Sequence, residues 1–495
     1  MSPGRYRRAS SRTFNGKGND MLNREHLERP LAAALAVLAV VMTIGPAWGG
    51  EESWPSEFRD TFTDAERREP YVQARSFTMY QWPFIDGQWE GITADERGRV
   101  WYSVSSHSPT EHAQVFMYDP KEDRVRHIAD LGQAVGEKLI DTAPHDKIHA
   151  RMYADGRYIY TATCDGGGKD TDYAGGYWIK IDTKTGRVIP LAKSKSNDGI
   201  IAMGYDRKRG LLYGHTNHKG RLLVYNLETG EERDLGYPYQ DYEADWPRGI
   251  DLMVAPDGKV FGLRPPRCTI WQYDPETDEI TVVDVDMPTP ADVRGEKPKR
   301  TSGHEMPEER VREHWNTSAG HMSFWDEKLG CFWFLRGHDQ MLMKFHPPTA
   351  EQEPRVEAVE PLGRGYSRYR NFPASCTLEM DEDRVIWYTP GTGWGGEAYL
   401  QSYNTETGEF RDYGPIVTDG GRRITESHAM ALDGGRIYLV AFVFNKAGSE
   451  DPVRKWAGRG KWPFHARFLV IDPEVHARPG KAEAEAGNEP TAKAD

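Results

Sequence analysis

Histidine, lysine and arginine side chains recur at two kinds of position in this chain. Some lie at the start of the first of two successive short apolar runs, and others lie in the loop after the second run. Histidine can take or give a proton near neutral pH, and lysine and arginine can offset a carboxylate charge. The combination predicts a site for an anionic ligand at which a proton can be transferred. The candidates are Lys147, His149, His215, Arg248, Arg264, His321, Arg336 and His428.

A repeated turn predicts the elements that position these residues. Each copy has an apolar residue, then Asp, Asn or His, then a turn, and such side chains bond the backbone of tight turns. A four-strand unit that recurs every 40 to 50 residues or so is typical of β-propellers. The seven copies are YDPKED at Tyr118, IDTKTG at Ile181, YNLETG at Tyr225, YDPETD at Tyr273, FHPPTA at Phe345, YNTETG at Tyr403 and IDPEVH at Ile471.

The repeat therefore predicts an all-β chain, a seven-bladed β-propeller of four-stranded antiparallel blades over residues 88–473. In this fold the innermost strands start around the mouth of a central channel, and the first strand of blade 2 is predicted over Ile148–Tyr153. Blade 7 runs out of apolar residues after Pro473. The run Ala74–Tyr80, within an N-terminal segment of residues 51–87, is expected to supply its missing strand and close the ring. Residues 474–495 are polar and predict a disordered tail.

The first 50 residues predict an N-terminal extension and a secretory signal peptide. Leu31–Gly45 is apolar, basic residues precede it and small residues follow it. This pattern favours export to the periplasm or medium, with cleavage near residues 47–50; an uncleaved anchor is the alternative. The net charge of −13 and the lack of a basic stripe argue against nucleic acid as a partner. A monomer is expected, and Cys331 and Cys376 either form a disulfide or remain buried thiols.

Three stretches resemble a known family. The phrases DKIHARMYADGRYIY and DRKRGLLYGHT, with the YDPxT turns, resemble the secreted seven-bladed propeller polysaccharide lyases that act on ulvan, and more distantly oligogalacturonate lyase. The resemblance implies cleavage of uronate glycosides by β-elimination. It implies His149 and Tyr213 as base and acid and Arg248 beside the carboxylate. His215 would replace a second histidine, where this chain has Cys164. The substrate-binding candidates are Lys147, Arg264, His321, Arg336 and His428.

Two other classes of function stay open on the residues alone. One is a propeller that binds glycans or a protein without catalysis. The other is a metal-dependent lactone hydrolase, with Glu90, Asp198 and Asn316 as ligands. β-Elimination needs no cofactor, so none is predicted. The pairs His145/His149 and His215/His218 leave a bound divalent metal as an alternative.

Overall fold

The structure is a computed structural model, and it describes a large part of the chain after residue 69. The described residues are 70–79, 82, 85, 87–106, 111–136, 144–164, 173, 175–217, 219–238, 251–264, 269–288, 323–335, 341–359, 377–390, 398–422, 424–444 and 464–478. The predicted signal peptide lies outside them. Among these residues, no helix is both long and apolar enough to span a membrane.

The strands form seven antiparallel blades that follow one another along the chain, which confirms the seven-bladed propeller. Five blades are separate four-stranded sheets, and the last two are joined into one nine-stranded sheet. Strand β1 (Tyr71–Thr78) precedes them. Blade 1 consists of β2 (Ile92–Ala94), β3 (Val100–Val104), β4 (Gln114–Asp119) and β5 (Arg124–Asp130). Blade 2 consists of β6 (Tyr153–Asp155), β7 (Tyr158–Ala162), β8 (Tyr177–Asp182) and β9 (Arg187–Lys193). Blade 3 consists of β10 (Ile200–Asp206), β11 (Leu211–Thr216), β12 (Leu222–Asn226) and β13 (Glu232–Gly236). Blade 4 consists of β14 (Leu252–Val254), β15 (Val260–Arg264), β16 (Thr269–Asp274) and β17 (Glu279–Val283), and blade 5 of β18 (Ser323–Asp326), β19 (Cys331–Leu335), β20 (Leu342–His346) and β21 (Arg355–Val359). Blade 6 consists of β22 (Leu378–Met380), β23 (Val385–Tyr388), β24 (Tyr399–Asn404) and β25 (Phe410–Thr418). Blade 7 consists of β26 (Ile424–Asp433), β27 (Arg436–Phe444) and β28 (Phe464–Ile471), together with β1. Helix α1 (Leu131–Val135) follows blade 1.

Strand β1 closes the ring, as predicted, although it begins and ends a few residues earlier than Ala74–Tyr80. It pairs antiparallel with β28, with Phe77 opposite Phe468. Its first half also pairs in parallel with β25, with Val72 opposite Ile416. One strand therefore completes blade 7 and joins it to the outer edge of blade 6.

The predicted start of the tail at residue 474 is wrong. The chain continues through a short helix, α2 (Pro473–His476), into β29 (Ala477–Arg478). Strand β29 pairs antiparallel with the start of β1, with Ala477 opposite Val72. Backbone pairing does not require apolar side chains, so the polar composition gave no sign of it. The propeller proper extends at least to Arg478.

The core consists of apolar side chains packed between neighbouring blades. Cys331 belongs to this core as a free, buried thiol, and burial raises its pKa to about 12. Cys376 lies outside the described residues. A buried thiol with so high a pKa is unreactive, so Cys331 acts here as a small apolar residue.

Buried aspartates near the ends of inner strands connect adjacent blades. The Asp326 carboxylate accepts a hydrogen bond from Trp333 Nε1 at 3.0 Å within blade 5 and from Arg384 Nη2 of blade 6 at 2.7 Å. In blade 1, Asp95 accepts from Trp101 Nε1 at 2.9 Å and from Arg99. Arg99 also donates to the Thr183 carbonyl of blade 2 at 2.8 Å. Each aspartate thus orients an arginine that spans a blade boundary.

Asp326→Ala should destabilise the propeller strongly. Asp326 is fully buried, and its removal leaves the Trp333 N–H without its acceptor and Arg384 with only its pairing to Glu406. Breaking a buried pair in this way costs about 3–5 kcal/mol. Thermal melting beside Asp383→Ala, an exposed position in the next blade, measures the effect. Equal melting of the two variants would contradict the role given to Asp326.

The stability from Asp326 should also depend on pH. Burial alone would raise the pKa of Asp326, but hydrogen bonds from Arg384 and Trp333 outweigh it and lower the pKa. A lowered folded-state pKa means that this stability is present above the unfolded carboxyl value of about 3.9 and is lost as pH falls through the folded value. The melting difference between wild type and Asp326→Ala should therefore narrow in strong acid.

Candidate functional site at the channel mouth

The segment before β6 carries two of the residues predicted from the sequence, Lys147 and His149. The predicted strand Ile148–Tyr153 is wrong, because the inner strand of blade 2 starts only at Tyr153. The backbone before it is bonded to other partners instead. Lys147 forms an isolated bridge with Cys164, and three carbonyls of the segment accept hydrogen bonds from blade 1. These bonds are Ala113 N to His145 O at 2.9 Å, Ser106 N to Asp146 O at 2.9 Å, and Glu90 N to His149 O at 3.3 Å.

Trp89 lies at the centre of a cluster formed by blades 1, 2 and 7. The Lys147 ammonium sits 3.9 Å from the centroid of the half-buried Trp89 ring. The rings of His149 and His428 lie 5.7 and 5.6 Å from it. The Phe442 ring is nearly perpendicular to the Trp89 ring, with the two ring centroids 5.8 Å apart. We call these five residues the Trp89 cluster. It joins an aromatic surface, a cation and two imidazoles in one place.

The hydrogen bond of His149 determines which ring nitrogen can accept a proton. His149 is buried, and its Nδ1 lies 3.0 Å from the Ile201 carbonyl oxygen of blade 3. A carbonyl oxygen only accepts, so Nδ1 must donate and carry the hydrogen. In the neutral imidazole, Nε2 is then the nitrogen with the lone pair. The tautomer is the one that a general base at Nε2 requires.

His428 has an acidic neighbour. Its Nε2 lies 3.6 Å from Glu426 Oε1, and both side chains are buried. The separation is longer than a good hydrogen bond, so the pair attracts mainly when the imidazole is protonated. His428 also packs against Phe442, with ring centroids 5.2 Å apart. The pair therefore holds the blade 7 side of the cluster next to Trp89.

Tyr213 and His215 lie in β11 of blade 3, and neither is a member of the Trp89 cluster. Tyr213 is fully buried in the apolar packing around Leu252 and Trp271, with its ring 6.0 Å from that of Tyr273. Burial raises its pKa well above the usual value, so the phenol stays protonated. His215 is buried opposite Leu222. The surroundings of Tyr213 favour a packing role over proton transfer.

The remaining sequence candidates are only partly described. Arg248, His321 and Arg336 lie outside the described residues, and Arg264 is described only as the last residue of β15. The proposed metal ligand Asp198 is bonded to the backbone. Its Oδ1 accepts from Gly199 N at 2.9 Å and its Oδ2 from Lys219 N at 2.7 Å. Within the described ranges, no three His, Cys, Asp or Glu side chains are grouped to hold a metal ion.

Sequence reasoning missed the role of Trp89. The pattern placed it at the start of the blade 1 inner strand, among the residues around the channel mouth, but did not single it out as a site residue. The only local signal is its position between the polar residues Gln88 and Glu90. Its partners come from opposite ends of the chain, so no local pattern could assign them.

The comparisons with known proteins add no family. No family model matches the chain, and no curated protein matches it. A virginiamycin B lyase from Staphylococcus aureus is similar in structure at 12% identity, covering 81% of this chain and 99% of that one, with a TM-score of 0.46. The RRP9 WD40 repeats are similar at 9% identity, covering 82% and 99%, with a TM-score of 0.48. A putative 6-phosphogluconolactonase from Bacteroides fragilis is similar at 8% identity, covering 73% and 90%, with a TM-score of 0.42. The strand pairing of the chain itself, rather than these similarities, establishes the propeller.

Proposed function

We propose that this propeller binds an anionic, uronate-containing polysaccharide at the channel mouth and cleaves it by β-elimination, with His149 as the base. The observation that carries the proposal is the hydrogen bond between His149 Nδ1 and the Ile201 carbonyl, 3.0 Å long. It makes Nε2 the proton acceptor in a ring that lies beside Trp89 and Lys147. The cluster thus offers a base for the C5 proton, a cation for the uronate carboxylate and an aromatic surface for the sugar ring.

Each group has a part in the chemistry. Trp89 packs against the apolar face of a sugar ring, and Lys147 offsets the uronate carboxylate so that the proton on C5 becomes acidic. His149 Nε2 removes that proton. The electron pair of the C5–H bond forms the C4–C5 double bond, and the C4–O bond breaks. The departing oxygen keeps that bond's electron pair and takes a proton from solvent. His428 and Glu426 orient Trp89.

Export from the cytoplasm is part of the same proposal. A leader cleaved near residues 47–50 would deliver the protein to polymers outside the cytoplasm. N-terminal sequencing of exported protein checks the cleavage position. We include no cofactor in the reaction, because none of its steps requires one.

A binding protein without catalysis is the second candidate. The burial of Tyr213 favours it, because the resemblance implied a tyrosine acid and the Trp89 cluster contains none. Mixing the mature chain with polygalacturonate and with ulvan separates the two candidates. A rise in the ultraviolet absorbance of the unsaturated product supports the lyase, whereas saturable binding without that rise supports the second candidate.

Lys147→Met should weaken binding of uronate oligosaccharides about 10- to 100-fold. A hydrogen bond to a charged group contributes about 1.5–3 kcal/mol, and 1.4 kcal/mol corresponds to tenfold in affinity. Calorimetric titration with oligogalacturonate measures the loss, and a neutral oligosaccharide of equal length should show little change. Lys147→Arg should recover part of the affinity. Lys193→Met removes an exposed lysine of the same blade as a matched control. Equal affinities for Lys147→Met and Lys193→Met would rule out Lys147 as the carboxylate partner.

A further inference from the structure

Arg151 crosses the central channel two residues after His149. Its Nη1 donates to the Ser323 carbonyl at the start of β18 in blade 5. Its Nη2 donates to Glu379 Oε2 in β22 of blade 6, at 2.9 Å. The side chain of Arg151 is 15% exposed and that of Glu379 25%. One arginine thus connects blade 2 to the blades on the far side of the ring.

Carboxylates from three blades act electrostatically on this guanidinium. Burial alone would lower the pKa of Arg151, but the negative charge of Glu379, with further contributions from Tyr153, Asp251 and Glu90, outweighs burial and raises it. Glu90 belongs to blade 1, next to Trp89, and Asp251 precedes β14 of blade 4. Arg151 therefore remains cationic at any pH at which the protein is folded, and its contacts across the channel persist.

The segment that carries His149 forms no strand of its own, and side-chain contacts at its two ends add to the backbone bonds that it receives from blade 1 and to the Lys147–Cys164 bridge. At the N-terminal end, His145 Nδ1 lies 2.8 Å from the Tyr173 hydroxyl and 3.2 Å from Thr163 Oγ1. At the C-terminal end, Arg151 makes the cross-channel bonds. His149 lies between them, two residues from Arg151.

We propose that Arg151 is a positioning residue, whose cross-channel bonds keep His149 Nδ1 on the Ile201 carbonyl and so keep Nε2 as the proton acceptor. Without the guanidinium the segment loses its anchor on blades 5 and 6. A displacement of about 1 Å at a reacting group can cost about 10²-fold in rate. The catalytic consequence rests on the proposed function, whereas the effect on the His149 tautomer does not.

The test measures the tautomer directly. Nitrogen NMR of selectively labelled histidine distinguishes the two neutral tautomers at about pH 8, where an ordinary imidazole is neutral. The His149→Gln spectrum assigns the signals. Wild type should show the Nδ1–H form, and Arg151→Met should show a mixture. Glu379→Gln, which removes one anchor charge with little change in shape, should show a smaller shift in the same direction.

Arg157→Met is the matched control, since it also breaks an arginine–carboxylate pair of blade 2, here with Asp182, outside the segment that carries His149. It should leave the tautomer unchanged. The proposal is overturned if the His149 tautomer in both Arg151→Met and Glu379→Gln equals that of wild type. Glu379→Gln decides the question if Arg151→Met does not fold. With an active wild type, Arg151→Met should lower kcat about 10²-fold with little change in KM. An inactive wild type would count against the proposed lyase and leave the tautomer result standing.

Discussion

His149→Gln should lose about 10²–10⁴-fold in turnover of a uronate polymer, the usual contribution of a general base. A glutamine amide can still donate to the Ile201 carbonyl, so the backbone oxygen keeps its partner. An amide cannot accept the C5 proton, so the chemistry is lost while the packing is largely kept. Ultraviolet absorbance of the unsaturated product measures the rate, and thermal melting measures the fold.

The pattern of the kinetic constants is informative as well. A base acts only in the transition state, so kcat and kcat/KM should fall together. His346→Gln is the matched control and should keep full turnover, because His346 is a buried histidine at the end of β20 in blade 5 and is not a member of the Trp89 cluster. If His149→Gln keeps its activity and melts at a lower temperature than wild type, then His149 holds blades 2 and 3 together and the lyase proposal loses its base.

Deletion of residues 51–78 should abolish cooperative melting and cause aggregation. The deletion removes β1, which is the fourth strand of blade 7 and also the parallel neighbour of β25. Two sheet edges would then be exposed, and unpaired edges associate with other chains. Each lost backbone hydrogen bond contributes about 0.5–1.5 kcal/mol, and the packing of Phe77 is lost as well. Together these losses are a large fraction of a typical domain stability of about 5–15 kcal/mol.

A shorter deletion serves as its control. Removing residues 51–69 leaves β1 in place, so the difference between the two deletions reports on β1 itself. Calorimetry and light scattering on both proteins give the comparison. Coincident melting curves without aggregation would show that ring closure by β1 adds no stability.

The sequence by itself determined the architecture, because the signals for a blade are local. The turn between the third and fourth strands is stabilised by its own side chain, as where Asp182 Oδ1 accepts from Lys184 N at 2.9 Å and Asn226 Oδ1 accepts from Glu228 N at 2.8 Å. A hydrogen bond between residues two positions apart depends only on a short stretch of sequence, so it is visible as a repeated motif. Seven such phrases, and a last blade lacking a strand, predicted both the ring and its closure. The polar continuation through β29 escaped, because backbone pairing depends little on composition, and the start of the blade 2 inner strand was predicted too early.

The repeat predicted Lys147, His149 and His428 as candidates for one site, but the tertiary structure alone decided which side chains are in contact. Trp89 meets His428 across the junction of the first and last blades, and Arg151 meets Glu379 across the channel, at separations in the chain that no pattern connects. The depth of a side chain also depends on where its strand begins. The inner strand of blade 2 starts at Tyr153 rather than Ile148, because blade 1 bonds the preceding carbonyls. That shift gives His149 a backbone partner on blade 3, while Tyr213, in the middle of its own strand, is buried in the core between blades.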